Sequence, residues 1–533
     1  MATVAQALAE ELKNAGIDTV FGLPGGENIA IVDALQGLEI EFVLVHHEAT
    51  GAYMASASAR LTGKPSACLT TLGPGAANAV AGVAHAFLDR APVLFISAQT
   101  PEKMRPLHTH QYLNLQAMFE PITKGSFQLK ADAVRRSLQT AIQLCANPRP
   151  GPVHVALSAD EANLAAETER VSPVVHRAPM LNDLQKAKTL ITSFHRPVIL
   201  VGLGYRNVSD QNVLVKFAEG INAPVIQTPK AKGVVDARHS LSAGTIGLTP
   251  EDRVYEILGE ADGVVALGFD VVELVKVWRH PAPLVWIAPW GNTDPQIPAA
   301  AELVGDVEAI LQMFGELHAE ARPGWGVERV AALVQKQAKP VVVISKPKRV
   351  APQSVLRVVR EIVLENAIVT TDVGSHKILA ALEWPAYIPN SFLLSNGLSC
   401  MGYGLPAAIA ASRLYPERQV VCFTGDAGLL MALGELAQLR KVRAALLIVV
   451  FNDNALDLIR AKQLRAKLEP RGTEFLGPAW ELVAAAFGLG YAQVGDERGC
   501  KQEVQQALQS KKPTIIDALI DPGAYPTSAG KHG

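Results

Sequence analysis

Short apolar runs alternate with longer stretches of mixed pattern along nearly the whole chain. The runs FVLVHH, SACLTTLG, VLFISAQ, PVHVAL, PVILVGLG, GVVALG, AIVTTDVG, VVCFTG, ALLIVVF and TIIDALI have strand length and are apolar at successive positions. Both faces of such a strand must be covered. Between them, AANAVAGVAHAFLD and LPAAIAASRLYP have helical length and are rich in small and apolar residues. Strands apolar on both faces, alternating with helices, predict an α/β protein of parallel sheets with helices on each side.

Two stretches break the alternation. Residues 160–185 and 321–353 are polar or contain proline and read as linkers. They divide the chain into segments 1–165, 185–330 and 350–525, which predicts three doubly wound parallel-sheet domains. The length of 533 residues fits that number at ~100–200 residues per domain. The first and third segments share a plan of strand, Gly-rich loop, small-residue helix and strand, short of a demonstrable repeat.

Composition narrows the class. Hydrophobic residues make up 49% and charged residues 19%, which suits large cores. The net charge is −2 with no long basic run, which argues against nucleic acid as a partner. The N-terminus, MATVAQALAEELKNAG, has the pattern of an amphipathic helix and lacks the basic start and apolar core of a secretion signal. No apolar run reaches the ~18–20 residues that span a membrane. Cys68, Cys145, Cys400, Cys422 and Cys500 are scattered, which fits a reduced cytoplasmic protein better than a disulfide framework or a zinc site.

Candidate chemistry gathers at strand ends. VVCFTG runs into Asp426 within GDA (425–427), and ALLIVVF runs into Asp453 within NDN (452–454). In open parallel sheets, ligands bind outside the carboxyl ends of the strands. Mg²⁺ takes carboxylate, carbonyl and phosphate oxygens in near-octahedral geometry, so Asp426, Asp453 and a carbonyl such as that of Ala455 are a candidate set. Two ordinary acids capping the following helices fit the spacing equally well. The turns DVGSH (372–376) and NGLSCMGYGLPAAIAAS (396–412) each lead from an extended stretch into a helix. Their glycines and Ser375 suit a diphosphate at a helix N-terminus, or tight packing of helix on sheet. Glu48, in HHEATGAYMASASAR, is either a cap or, if buried against a ligand nitrogen, an acid–base switch. LGPGAANAVAGVAHAFLD predicts a helix packed backbone to backbone, and HTHQY (108–112) reads as a surface loop or a polar site cluster. ILVGLGYRNVSD has GxG without a third glycine, so a dinucleotide site is rejected there.

Taken together, these blocks resemble the thiamine-diphosphate-dependent decarboxylases and carboligases, in particular the acetolactate-synthase-like branch of the FAD-free type. FGLPGGENIAIVDAL, HHEATGAYMASASAR, TLGPGAANAVAGVAHAFLDRAPVLFI, TDVGSH and GLSCMGYGLPAAIAA occur in the family's order over nearly the whole chain. GDA followed at a fixed distance by NDN stands as the family's cofactor signature. The resemblance implies a pyrimidine-binding N-terminal domain, a central domain and a C-terminal domain that binds the diphosphate and Mg²⁺. It implies that Glu48 hydrogen-bonds the cofactor's aminopyrimidine, that Met401 props the cofactor in its bent shape, and that Gln111 lies near the substrate. By the same resemblance Gly374, Ser375, His376, Gly402, Gly425, Ala427, Gly428, Leu429 and Leu456 line the cofactor. Asp426, Asp453 and the Ala455 carbonyl hold the metal, and Gly25, Gly26, Gln111, Leu456 and Ile459 face the substrate. Asp453 stands where most relatives have asparagine, which keeps an oxygen ligand and adds one negative charge.

The implied reaction is decarboxylation of pyruvate and carboligation to a second 2-oxo acid. A decarboxylase or aldehyde lyase uses the same machinery but protonates its intermediate, with Leu456, Leu458 and Ile459 lining a pocket for a bulkier acid. A non-catalytic homologue is expected to lack Glu48 or the metal acids, and all three are present. FAD-binding relatives carry an arginine-containing loop and a Gly-Met-rich turn in the central domain, where this chain has ALGFDVVELVKVW (266–278) and SAGTIGL (242–248); FAD is therefore not expected. NALDLIRAKQLRAKLEPRGTEF resembles the catabolic relatives, yet Glu27 stands where they carry a lysine. Family sites lie between subunits, so a homodimer or homotetramer acting on small 2-oxo acids is expected.

Overall fold

The computed structural model describes residues 1–107, 110–168, 181–205, 211–249, 254–275, 281–315, 324–325, 328–332, 346–442 and 444–525. His108 and Thr109 of the HTHQY cluster, parts of both predicted linkers and the SAGKHG tail lie outside the described residues.

Three six-stranded sheets make up the fold. The first contains β1 (Thr19–Gly22), β2 (Glu41–Leu44), β3 (Ser66–Thr70), β4 (Val93–Gln99), β5 (Ser126–Gln128) and β6 (Val153–Ser158), in the order β2-β1-β3-β4-β6-β5. The second contains β7 (Pro197–Val201), β8 (Val225–Gln227), β9 (Ser242–Thr245), β10 (Gly263–Leu267), β11 (Leu284–Ala288) and β12 (Ala301–Val304), in the order β12-β11-β10-β7-β8-β9. The third contains β13 (Ile368–Thr371), β14 (Phe392–Leu394), β15 (Val420–Gly425), β16 (Leu446–Asn452), β17 (Gly490–Val494) and β18 (Thr514–Leu519), in the order β14-β13-β15-β16-β18-β17. Every strand pairing is parallel. The fold is thus the doubly wound α/β class that the apolar runs predict. The first and third sheets repeat one strand order, which gives a structural form to the plan their sequences share.

The two-sided strands explain the layering. In β7, Ile199 and Val201 enter one core while Val198 and Leu200 enter the other, so helices are needed on both faces. At the N-terminus, Thr3 and Gln6 form a reciprocal capping box that starts the helix Val4–Asn14, and Val4, Leu8 and Leu12 are buried along it.

The chain packs as two compact units. One comprises residues 1–175, 398–415 and 430–442; the other comprises 176–397, 416–429 and 443–533.

Candidate active site

In the first unit, Glu48 opens the helix Glu48–Thr62 directly after β2. His47 caps it in extended conformation, its Nδ1 accepting from the Ala49 N–H at 3.2 Å. An acid at the first helical position faces unpaired N–H groups and the positive end of the helix dipole. Glu48 is only 8% exposed. Asn78 Nδ2 donates to its Oε2 at 3.0 Å. Its Oε1 lies 3.2 Å from where a β-carbon on Gly75 would stand, a position that the Thr71 hydroxyl already crowds.

A distant carboxylate holds the same helix start. Glu435 is buried in the 3₁₀ segment Leu433–Lys441. Its Oε1 accepts from the His46 N–H at 2.8 Å and from the Thr50 hydroxyl at 2.6 Å, and the Gln438 amide donates to Oε2.

Of the other sequence-predicted residues of this unit, Gly25 and Gly26 follow β1 and Gln111 follows β4. Asn28 Oδ1 accepts from the Gly25 N–H at 2.9 Å, and a β-carbon on Gly25 would overlap the Thr71 methyl. Gly26 has open space on its Cα, and Glu27 Oε2 lies beside Gly25. Gln111 has left-handed backbone (φ 62°), and its carbonyl packs on Gly73, itself left-handed (φ 47°). A side chain at residue 73 is thus excluded twice, by conformation and by space. Met401 lies half-buried in a turn with positive φ at Ser399 (55°) and Gly402 (83°), just before the helix Gly404–Leu414.

In the second unit, β15 and β16 are adjacent, with Gly425 opposite Phe451, so Asp426 and Asp453 emerge at the same sheet edge. Asp426 begins the helix Asp426–Met431 and is 2% exposed. Its Oδ1 accepts from the Ala427 N–H at 2.7 Å, and its Oδ2 accepts from the N–H groups of Asn454 (2.7 Å) and Asp453 (3.2 Å). Asp453 Oδ1 accepts from the Ala455 N–H at 3.2 Å. Burial, then the charges of Asp426 and Asp457, push the Asp453 carboxyl up to about 7. Burial also raises Asp426, against the pull of its backbone donors. Crowded acids of this kind favour a proton or a cation between them. Among the described residues no group of three or more His, Cys, Asp or Glu side chains is placed to hold a metal. Two carboxylates and a carbonyl therefore leave most of a metal's shell to ligand oxygens and water.

Glycines shape the surrounding loops. A β-carbon on Gly374 or Gly425 would meet the His376 ring, at 2.6 and 3.2 Å, and one on Gly428 would meet Asp372 Oδ2 at 2.8 Å. His376 is buried, stacks on Phe451 at 5.5 Å and has no hydrogen-bond partner for Nε2. Burial pushes its pKa down to about 3, so the ring is neutral. Ser375 is buried at the start of the helix Ser375–Glu383, and Leu429 is buried beyond Asp426. Leu456 caps the helix Asp457–Arg465, which buries none of its residues; Ile459 on it is 45% exposed.

Sequence reasoning missed Asn28, Asn78, Asp372 and Glu435. Asn78 had a signal: Gly75, Asn78 and Gly82 share one helical face. Glu435 had none, being 387 residues from Glu48 (435 − 48).

Comparison with known proteins matches this arrangement. Residues 2–118 match the model for the thiamine pyrophosphate enzyme N-terminal TPP binding domain, residues 184–314 the central domain, and residues 372–518 the C-terminal TPP binding domain. The acetolactate synthase isozyme 1 large subunit of Escherichia coli is 30% identical over 97% of this chain and 94% of its own length. The acetolactate synthase large subunit of Parasynechococcus marenigrum is 31% identical over 98% of this chain and 88% of its own. The chloroplastic acetolactate synthase of Arabidopsis thaliana is 31% identical over 97% of this chain and 81% of its own. The chain belongs to the thiamine pyrophosphate enzyme family. Within it, this is an acetolactate-synthase-like enzyme that depends on thiamine diphosphate.

Proposed function

We propose that the enzyme decarboxylates pyruvate and joins the product to a second 2-oxo acid, with Mg²⁺ anchoring the cofactor's diphosphate. The observation that carries this reading is the pair Asp426 and Asp453 on adjacent strand ends, beside loops that only glycine fits. Asp426, Asp453 and the Ala455 carbonyl hold the metal. Gly374, Ser375, His376, Gly402, Gly425, Ala427, Gly428, Leu429 and Leu456 line the cofactor, and Met401 supports its bend. The unpaired, neutral His376 Nε2 suits a ligand hydrogen bond. When bound, thiamine diphosphate supplies a carbon nucleophile and an electron sink for a 2-oxo acid. Glu48, buried and hydrogen-bonded, exchanges a proton with the aminopyrimidine, and Gly25, Gly26, Gln111, Leu456 and Ile459 face the substrate.

The central domain supports a reading without FAD. Its switch-point loop, Gly202–Gly204, is closed: the Leu203 N–H donates to the buried Glu273 carboxylate at 2.9 Å, and Trp290 lies where a β-carbon on Gly204 would stand. A flavin's phosphates would have to displace both. The helix Asp457–Arg465, with no buried residue, supports completion of the site by a second copy of the chain, in a homodimer or homotetramer. None of the five cysteines forms a disulfide, which supports a cytoplasmic setting; among the described residues no helix is long and apolar enough to cross a membrane.

The test is CO₂ release from pyruvate by protein stripped of metal and cofactor. Release is expected only when Mg²⁺ and thiamine diphosphate are both restored, and Glu48→Gln is expected to cut it ~10²-fold or more. Full activity in Glu48→Gln contradicts the role given to Glu48.

A further inference from the structure

The helix Pro74–Leu88 lies against the helix that Glu48 begins, closely enough that a β-carbon on Gly82 would stand 2.6 Å from the Ala49 carbonyl and from the Ala52 β-carbon. Gly75 and Asn78 lie on the same face of that helix, two turns and one turn before Gly82 respectively. The close packing carries the Asn78 amide onto Glu48 Oε2 at 3.0 Å. Asn78 is otherwise exposed, and an exposed amide has no need of a carboxylate to satisfy it. Glu48 Oε1, in contrast, lies on the Gly75 side, 3.2 Å from where a β-carbon on that residue would stand.

We infer that Asn78 is a positioning residue for Glu48: its N–H claims Oε2 and so makes Oε1 the oxygen that carries the exchangeable proton. The chemistry is that of the two groups. An amide N–H donates and does not titrate near neutrality, so it binds a carboxyl oxygen that bears no proton. That bond persists in both states of Glu48 only if the proton sits on the other oxygen. A glutamate that must give and take one proton at a fixed ligand atom needs its two oxygens made unequal, and Asn78 does this. The other groups facing the acid do not compete. The Cys68 thiol of β3 is held protonated by burial and by the Glu48 charge, and the Thr71 hydroxyl donates to the Leu72 carbonyl. Glu435 and His46 act at the helix start, on the backbone and on Thr50. The inference rests on the proposed role of Glu48 toward thiamine diphosphate.

Three readouts test it. The first is hydrogen–deuterium exchange at the cofactor's reactive carbon, followed by NMR in holoenzyme with Mg²⁺. Asn78→Ala is expected to slow exchange about 10–100-fold while cofactor affinity, measured by calorimetry, stays within about 3-fold. The second is a double-mutant cycle: in a Glu48→Gln background, Asn78→Ala is expected to add almost nothing, because its effect passes through Glu48. The third uses unliganded protein carrying ¹³C at the glutamate carboxyl carbons, with the Glu48 signal identified by its loss in Glu48→Gln. Asn78→Asp keeps the shape but sets two carboxyls side by side, and the Glu48 signal is expected to titrate at higher pH than in wild type. Wild-type exchange in Asn78→Ala, additive losses in the double mutant, or an unmoved Glu48 signal in Asn78→Asp overturns the inference. If wild-type protein does not speed exchange at all, the cofactor role of Glu48 falls, and the carboxyl titration still decides whether Asn78 governs Glu48.

Discussion

At the scale of single residues, the carboxyl groups proposed to act are held in unequal surroundings within each unit. Glu48 is held at Oε2 by one amide, with Oε1 on the Gly75 side. Asp426 is spent largely on backbone N–H groups of its own and the neighbouring strand end, while Asp453 has one such donor. That difference explains why burial and like charge lift Asp453 up to about 7. A carboxyl raised in the folded state favours the fold while it is protonated. The contribution is full below its ordinary value of 3.8 and is lost as pH rises through about 7. His154 and His376, kept neutral by burial, act in the opposite sense as pH falls below their ordinary 6.5, so the comparison must cancel them. Without ligands, wild type is expected to lose melting temperature relative to Asp453→Asn between pH 5 and 8, within the window from 3.8 to about 7 and just above it. Saturating Mg²⁺ and thiamine diphosphate should erase that loss, since a cation on the pair replaces the proton. Calorimetric scans of both proteins at each pH check this, and parallel curves without ligand would contradict the picture of Asp453.

At the scale of elements, the Glu48 and Pro74 helices show how small residues become function. Their glycines and alanines bring two backbones together and so deliver Asn78 to Glu48. Gly82→Ala is expected to cost about 1–3 kcal/mol, because its β-carbon has no room, and to slow the enzyme by displacing Glu48. Gly259→Ala, in open space on a helix, should instead be neutral or stabilise by up to about 1 kcal/mol. Denaturant melts of the two variants check the contrast. The long buried strands were legible because β4 and β16, at seven residues each, are buried throughout and mostly apolar. Short strands were not. β8 has three residues, and β12 alternates buried and exposed positions over four, so neither stands out from a loop in the sequence. The strand-end acids and the glycine turns were visible because their spacing is local. The Glu435 clamp was invisible because its partners lie hundreds of residues away, and no periodicity encodes such a contact.

At the scale of the whole molecule, the first and third sheets repeat one strand order, and in the second sheet Glu273 and Trp290 pack against the glycines of the loop after β7. Freshly purified protein is therefore expected to show no flavin absorption band, and a band near one flavin per chain would contradict the account of the central domain. The central claim is chemical. Its most direct test is mass spectrometry of the products formed from pyruvate by enzyme loaded with Mg²⁺ and thiamine diphosphate. Acetolactate as the main product is the predicted result, and it would show that Glu27 does not exclude pyruvate. Acetaldehyde, or CO₂ release only from bulkier 2-oxo acids, would contradict the carboligase account and assign the same residues to a decarboxylase.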